Sequence, residues 1–238
     1  MMTDNIDISI IIPTLNEEST LGDCLNAVFA QDGALKTQVI IADFNSADKT
    51  IEICQGYPVK IITGGLPAVA RNSGAKNAAG KYLLFLDADT IIPVDFLSSA
   101  LPAFSQSGAI IASFFLKPKP DTFLMKVIFN LYNEYGWLAS RLTLPVFVTA
   151  GCCLLVKKSD HEAVDGFDED MAALEEYEYI RKLKKKGRFR VLPLKVITST
   201  RRFSKGNGFK KTIILFNYYF KWLLGKKIPQ DKYGYWEK

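Results

Sequence analysis

The stretch Lys81-Tyr82-Leu83-Leu84-Phe85-Leu86-Asp87-Ala88-Asp89-Thr90 constrains this chain more than any other. Its apolar residues, Tyr82 to Leu86, run without a break and stop at two carboxylates. So short and uniform a run fits a strand covered on both faces, as in a parallel sheet. Ligands of open α/β sheets bind just past the carboxyl ends of such strands, so Asp87 and Asp89 fall where chemistry is expected. Two like charges this close need something positive between or beside them. A hard divalent cation is one answer, because Mg²⁺ takes one or two carboxylates and completes its shell with substrate phosphates and water. A polar strand-to-loop turn is the other reading, and Asp-x-Asp alone does not decide between them.

The residues leading to that point alternate between two periodicities. Ile6 to Ile12 reads as a strand ending at Pro13, and Leu21, Leu25, Val28 and Phe29 then fall at helical spacing. Gln38 to Ala42 is a second strand, which runs into Asp43. Asn45 to Asp48 is turn chemistry, with Asp48 placed to cap a short helix carrying Ile51 and Ile53. Val59 to Ile62 is a third strand, and Pro67 opens an Ala-rich helix that runs to about Ala79 and is closed by Gly80. This alternation predicts an α/β fold: a mostly parallel central sheet flanked by helices. No Gly-x-Gly-x-x-Gly and no Gly-x-x-x-x-Gly-Lys-Ser/Thr follows a strand, which counts against a dinucleotide site or a P-loop.

Past Thr90 the pattern loosens. A helix is expected from Asp95 to Phe104, a strand from Ala109 to Phe115, and a long aromatic-rich helix from Asp121 to Leu142. Phe123 to Trp137 is read as core packing, with a contact on the acceptor side of a site as the alternative. Phe147 to Val156 looks like strand interrupted at Gly151. Ser159-Asp160-His161-Glu162 fits a capping box, which makes His161 a surface residue in a first helical turn. Gly166 to Glu169 is a turn, and Leu174 to Lys186 reads as a helix stopped by Gly187. That helix begins with Glu175, Glu176 and Glu178 and ends with Lys184, Lys185 and Lys186, an order that the helix dipole alone explains.

Composition narrows the class. The chain has 238 residues, 48% of them hydrophobic and 23% charged, enough for one large domain or two small ones. Cys24, Cys54, Cys152 and Cys153 include no Cys-x-x-Cys pair and the chain has one His, so a zinc site is not expected and free thiols in a reducing cytosol are. No secretory signal and no run of ~18 apolar residues is present, so a cytoplasmic protein is expected. The net charge of +5 is concentrated from Arg181 onward. We therefore expect a domain over 1–200 and a basic, aromatic-rich extension over 201–238. Arg201 and Arg202 are either a loop closing over a diphosphate or a solvated cluster. Residues 210–227 set aromatics between Lys210-Lys211 and Lys226-Lys227. They suit a membrane surface, which would make the protein peripheral on the cytoplasmic face, and equally a helix packed on the body or a homodimer contact. Nucleic-acid binding would rest on the basic tail alone and is not adopted.

Several motifs stand in one order. They are Ile10 to Glu18, Ile40 to Thr50, Ala70-Arg71-Asn72-Ser73-Gly74, Leu84 to Asp89, Gly166 to Glu169, and Glu175 to Glu178 followed by Leu183 and Gly187. With them the chain, over about residues 6 to 192, resembles the family 2 glycosyltransferases, nucleotide-sugar-dependent inverting enzymes of the A-type fold. The resemblance implies that Pro13, Leu15, Glu17 and Asp43 hold the nucleotide base and ribose, and that Arg71 faces the nucleotide or its diphosphate. It implies that Asp87 and Asp89 form the Asp-x-Asp site for Mg²⁺ or Mn²⁺, with Asp89 the direct ligand, and that Glu176 is the catalytic base. The donor would be a nucleoside-diphosphate sugar and the acceptor an unknown hydroxyl, lipid-linked or on a polysaccharide. Three departures stand out: Phe44 follows the strand-two aspartate, the base is Glu rather than Asp, and no His follows the acidic doublet. A nucleotidyltransferase and a non-catalytic nucleotide-sugar-binding protein are the competing readings; the first lacks a Gly-rich loop at Pro13 to Glu18, and Asp89 and Glu176 weigh against the second.

Overall fold

The computed structural model describes residues 6–142, 151–171, 173–199 and 217–225. Four parallel strands come first: β1 (Ile8–Thr14), β2 (Thr37–Asp43), β3 (Lys60–Thr63) and β4 (Tyr82–Leu86). They lie in the order β3-β2-β1-β4, joined by helices α1 (Leu21–Phe29), α2 (Thr50–Cys54) and α3 (Pro67–Asn77). The chain then makes β5 (Thr90–Ile91), α4 (Phe96–Ser107), β6 (Ala109–Lys119), α5 (Phe123–Arg141), β7 (Cys153–Lys157), α6 (Lys158–Glu162), α7 (Glu175–Lys184) and β8 (Arg188–Ser199). A further helix, α8, covers 217–223. The sheet continues from β4 as β7-β6-β8-β5. β7 runs antiparallel to both β4 and β6, β6 and β8 pair in parallel, and β5 pairs antiparallel with β8.

The apolar run of β4 is explained by where its neighbours lie. Leu83 and Phe85 enter a core with Ile11, Tyr179, Ile180 and Leu183 on one face of the sheet. Leu84 and Leu86 enter the other core, with Ile10, Ile12, Leu25 and Phe104. A strand flanked by β1 and β7 and covered on both sides has no solvent face on which to place a polar residue. Gly74 lets α3 lie directly on β1, because a Cβ there would collide with the Ile11 side chain.

Several sequence expectations need correction. The third strand is a mostly exposed edge, Lys60–Thr63, and β5 was not foreseen because two residues carry no period. α3 ends at Asn77, and α4 runs on to Ser107 with Pro102 inside it. The N-cap of α2 is Lys49, while Asp48 one residue earlier accepts from the Thr50 amide at 3.0 Å. No side chain caps α6, whose N-cap is Lys157. His161 is buried, with Nδ1 2.8 Å from the Tyr179 hydroxyl and its ring against Phe85 and Phe167. Burial drives its pKa down to about 4, with Lys182 and Lys158 adding to the effect. The core-packing reading of the long aromatic helix fails for most of α5, whose large apolar side chains face outward. Residues 147–150 of the interrupted strand lie outside the described residues.

Candidate active site

The carboxyl ends of β1, β2 and β4 bring two structures together. The first is a pair of loops fastened to each other. Asp43, at the end of β2, is buried. Its Oδ1 accepts from Thr14 Oγ1 at 2.9 Å and from Ser46 Oγ at 2.6 Å, and its Oδ2 accepts from the Ser46 amide at 2.9 Å. The Asn16 amide donates to Ser46 Oγ at 2.9 Å, the Glu17 amide to Thr50 Oγ1 at 2.8 Å and the Glu18 amide to Asp48 at 3.1 Å. Asn16 and Asn45 take positive φ, 54° and 51°, which asparagine tolerates better than most residues. Asp43 thus fixes the loop holding Pro13, Leu15 and Glu17, and Leu15 and Phe44 remain exposed at its rim.

The second structure is ionic. Asp87 follows β4, and its amide donates to the Cys152 carbonyl at 2.9 Å. Its Oδ1 accepts from Arg71 Nη2 at 3.0 Å. Arg71, on α3, is buried under the ring of Phe167, and its Nη1 donates to Glu175 Oε1 at 2.6 Å. Burial works against the Arg71 charge, and the carboxylates of Asp87 and Glu175 more than restore it. One buried cation therefore ties the end of β4 to the start of α7. Its neighbour Asn72 closes the same joint, exchanging hydrogen bonds of 3.0 and 2.9 Å with the Phe167 backbone.

The acidic doublet is divided by this arrangement. Glu175 turns inward to Arg71, while Glu176 is half-buried beside Gly151. Leu174 enters the helix at φ 61°, a left-handed conformation that costs a bulky residue energy and persists where surrounding structure imposes it. A Cβ on Gly151 would lie 2.7 Å from Glu176 Cγ, so only glycine leaves that arm its room. Burial raises the Glu176 pKa, and the Glu175 and Asp87 carboxylates raise it further against the opposing Arg71. Tyr132 of α5 lies near enough to feel the Glu176 charge, and burial first of all holds its phenol protonated. Burial followed by Asp87 and Asp89 likewise keeps the Cys152 thiol protonated.

Of the residues singled out in the sequence, Asp87, Arg71 and Glu176 converge, Asp43 fixes the adjoining loops, and Asp89 sits half-buried two residues past Asp87. Arg201 and Arg202 lie outside the described residues. Sequence reasoning missed Glu175, Asn72, Tyr132 and Gly151. Arg71-Asn72 and Glu175-Glu176 were noticed as pairs, yet nothing local says which member faces inward. No cluster of three or more His, Cys, Asp or Glu side chains able to hold a metal occurs among the described residues. Two hard carboxylates nevertheless fit Mg²⁺ or Mn²⁺, which complete their shells with phosphate oxygens and water.

The model for "Glycosyl transferase family 2" matches residues 9–164. The chain belongs to this family. The minor teichoic acid biosynthesis protein GgaB of Bacillus subtilis is 33% identical to this family 2 chain over 188 residues, 70% of the chain and 20% of GgaB. The poly(ribitol-phosphate) β-N-acetylglucosaminyltransferase TarS of Staphylococcus aureus is 32% identical over 101 residues, 39% of the chain and 18% of TarS. The chain thus spans about a fifth of the length of either relative. In three dimensions it resembles TarS 1–349 solved with UDP-GlcNAc, with a TM-score of 0.68 and 21% identity over 82% of this chain and 59% of that one. It also resembles a Pyrobaculum calidifontis mannosyltransferase solved with GDP-Man and Mn²⁺, with a TM-score of 0.74 and 20% identity over 95% and 67% of the two chains. These likenesses show the A-type fold.

Proposed function

We propose that this family 2 domain transfers a sugar from a nucleoside-diphosphate sugar to an acceptor hydroxyl with inversion at the anomeric carbon. The observation that carries the reading is that one buried arginine ties Asp87, the first acid of the Asp87–Asp89 pair, to Glu175, the residue directly before Glu176. The loops pinned by Asp43 and lined by Pro13, Leu15 and Glu17 would seat the base and ribose. Asp89, with Asp87, would hold Mg²⁺ or Mn²⁺ together with diphosphate oxygens, and that cation supplies Lewis-acid stabilisation of the departing diphosphate. Arg71 is spent on Asp87 and Glu175, so its service to the donor is to hold Asp87 in place. Arg201 and Arg202 would meet the diphosphate from the C-terminal side.

Glu176 takes the acceptor proton as the acceptor oxygen bonds to the anomeric carbon and the sugar–phosphate bond breaks, its electron pair leaving on the nucleoside diphosphate. A carboxylate whose affinity for a proton is raised by burial and a neighbouring acid is a better base at neutral pH than an exposed one. The sign follows: transfer rises with pH as Glu176 deprotonates, on a limb displaced above the ordinary carboxylate range. The acceptor is read as lipid-linked or a polysaccharide, with 210–227 touching a membrane surface through its flanking lysines. No helix among the described residues is long and apolar enough to cross a membrane.

A thermal-shift screen of UDP-, GDP- and dTDP-sugars with and without Mn²⁺ tests the donor reading. Stabilisation that needs both nucleotide and Mn²⁺, and that Asp89→Asn removes, is the expected result. Mn²⁺-independent binding unaffected by Asp89→Asn would contradict the metal site.

A further inference from the structure

α5 is built inside out. Its buried residues are small or polar: Asn133, Gly136, Ala139 and Ser140. Asn133 exchanges two hydrogen bonds with the Leu116 backbone, 2.8 and 2.9 Å. Ser140 Oγ accepts from the Val191 amide at 3.1 Å, and Arg190 Nη1 donates to the Ser140 carbonyl at 2.6 Å. The outer face carries Leu124, Val127, Ile128, Leu131, Tyr135 and Leu138, which fall on one helical stripe and are 40–68% exposed. Phe123, at the N-terminal end, is 83% exposed. A soluble surface helix does the reverse, and large apolar side chains gathered in one exposed stripe mark an interaction surface.

The surroundings of the stripe indicate what it meets. α8 packs through Tyr218, Tyr219 and Trp222 on the same core that Trp137 of α5 packs against, and it exposes Phe220, Leu223 and, just past its end, Leu224. Each of the two helices thus carries an exposed apolar face. Arg141 ends α5 stacked 3.8 Å over the Trp137 ring, an arrangement that keeps the charge wet and the aromatic body dry. In the sequence Lys210 and Lys211 precede α8, Lys221 lies within it and Lys226 and Lys227 follow it, and residues 201–230 contain no acid. Basic residues around an aromatic and aliphatic face complement an anionic lipid interface. A second copy meeting this face would offer those charges few acids, Glu134 on α5 and none in 201–230.

The geometry points to the outer face of α5, together with α8, as a docking surface for an anionic lipid bilayer. The same helix also carries Tyr132, within electrostatic reach of Glu176. Docking by this face brings the base to the interface, where an acceptor carried on a lipid head would arrive. The acceptor part rests on the transferase reading, whereas the docking part does not.

Flotation with vesicles of phosphatidylcholine, alone and mixed with phosphatidylglycerol, tests the surface. The wild-type protein is expected to float with the mixed vesicles. The triple variant Leu124→Glu, Leu131→Glu, Leu138→Glu is expected to lose at least about tenfold of the bound fraction, with its melting temperature unchanged. Should the triple variant misfold, the single Leu131→Glu change, at the most exposed point of the central stripe, reads the same loss on a smaller scale. Equal flotation of variant and wild type, or no flotation of wild type, overturns the proposal. So does a wild-type dimer in light scattering that the variant splits, since a second copy would then own the face. Nucleotide-dependent thermal shifts run on both proteins separate the two readings. Their absence from the wild type sinks the donor site and leaves the flotation result standing.

Discussion

Two helices approach the candidate site, and they are put together on opposite plans. α7 buries Tyr179, Ile180 and Leu183 against the sheet and keeps its other side polar, with Arg181 paired to Glu178 and Lys182 donating to the Gly166 carbonyl. α5 buries an asparagine, a glycine, an alanine and a serine and sends leucines and aromatics outward. Hydrophobic burial seats α7, and the ion pair of Glu175 with Arg71 fixes its first turn. Directed hydrogen bonds to the β6 and β8 backbones seat α5. The first plan places one carboxylate accurately and leaves nothing apolar over; the second fixes the helix while keeping its apolar side for something else.

The largest expected effect lies at the start of α7. Glu176→Gln should lower transfer by about 10³-fold or more, near the upper range for losing a general base, while donor-induced thermal shifts persist and the melting temperature does not fall. Loss of donor binding along with transfer would make Glu176 structural. Next is Arg71→Leu, which strands Glu175 and Asp87 without their buried cation. A cost of about 3–5 kcal/mol in denaturant unfolding is expected, and a cost under ~1 kcal/mol would dissolve the distinction between the two helices. Asn133→Ala on α5 leaves an amide and a carbonyl of Leu116 unpaired, about 2–3 kcal/mol; if it proved silent, α5 would be held by packing after all. His161 sets a smaller, pH-dependent term beside α7. A histidine with a depressed folded pKa contributes fully above its unfolded value near 6.5 and loses that contribution as pH falls toward about 4. The unfolding free energy should therefore decline faster between those values in the wild type than in His161→Gln. Smallest of all, Leu131→Glu should alter stability by no more than about 0.5 kcal/mol, because nothing in the fold rests on that side chain.

The central sheet and the carboxylate-tipped strand were legible in the sequence for one reason. A strand covered on both faces must be apolar throughout, so Tyr82 to Leu86 announced its own burial, and the acids after it marked the sheet edge. The same logic failed where pattern is absent or inverted. β5 is two residues long. His161 reads as a polar residue in a first turn, yet it is buried among rings that arrive from β4, the Gly166 turn and α7. The apolar residues of α5 were correctly read as a helix and wrongly read as core, because periodicity reports a stripe and not which way it faces.

By itself, then, the sequence determined the strand–helix alternation, the parallel half of the sheet and the set of acids and bases offered at its edge, since period and composition are local properties of the chain. Only the tertiary structure decided which of two adjacent glutamates turns to Arg71 and which lies beside Gly151. It alone set α5 with its leucines to the outside. Those outcomes depend on residues 17 to 104 positions apart meeting in space, and no local spacing encodes them.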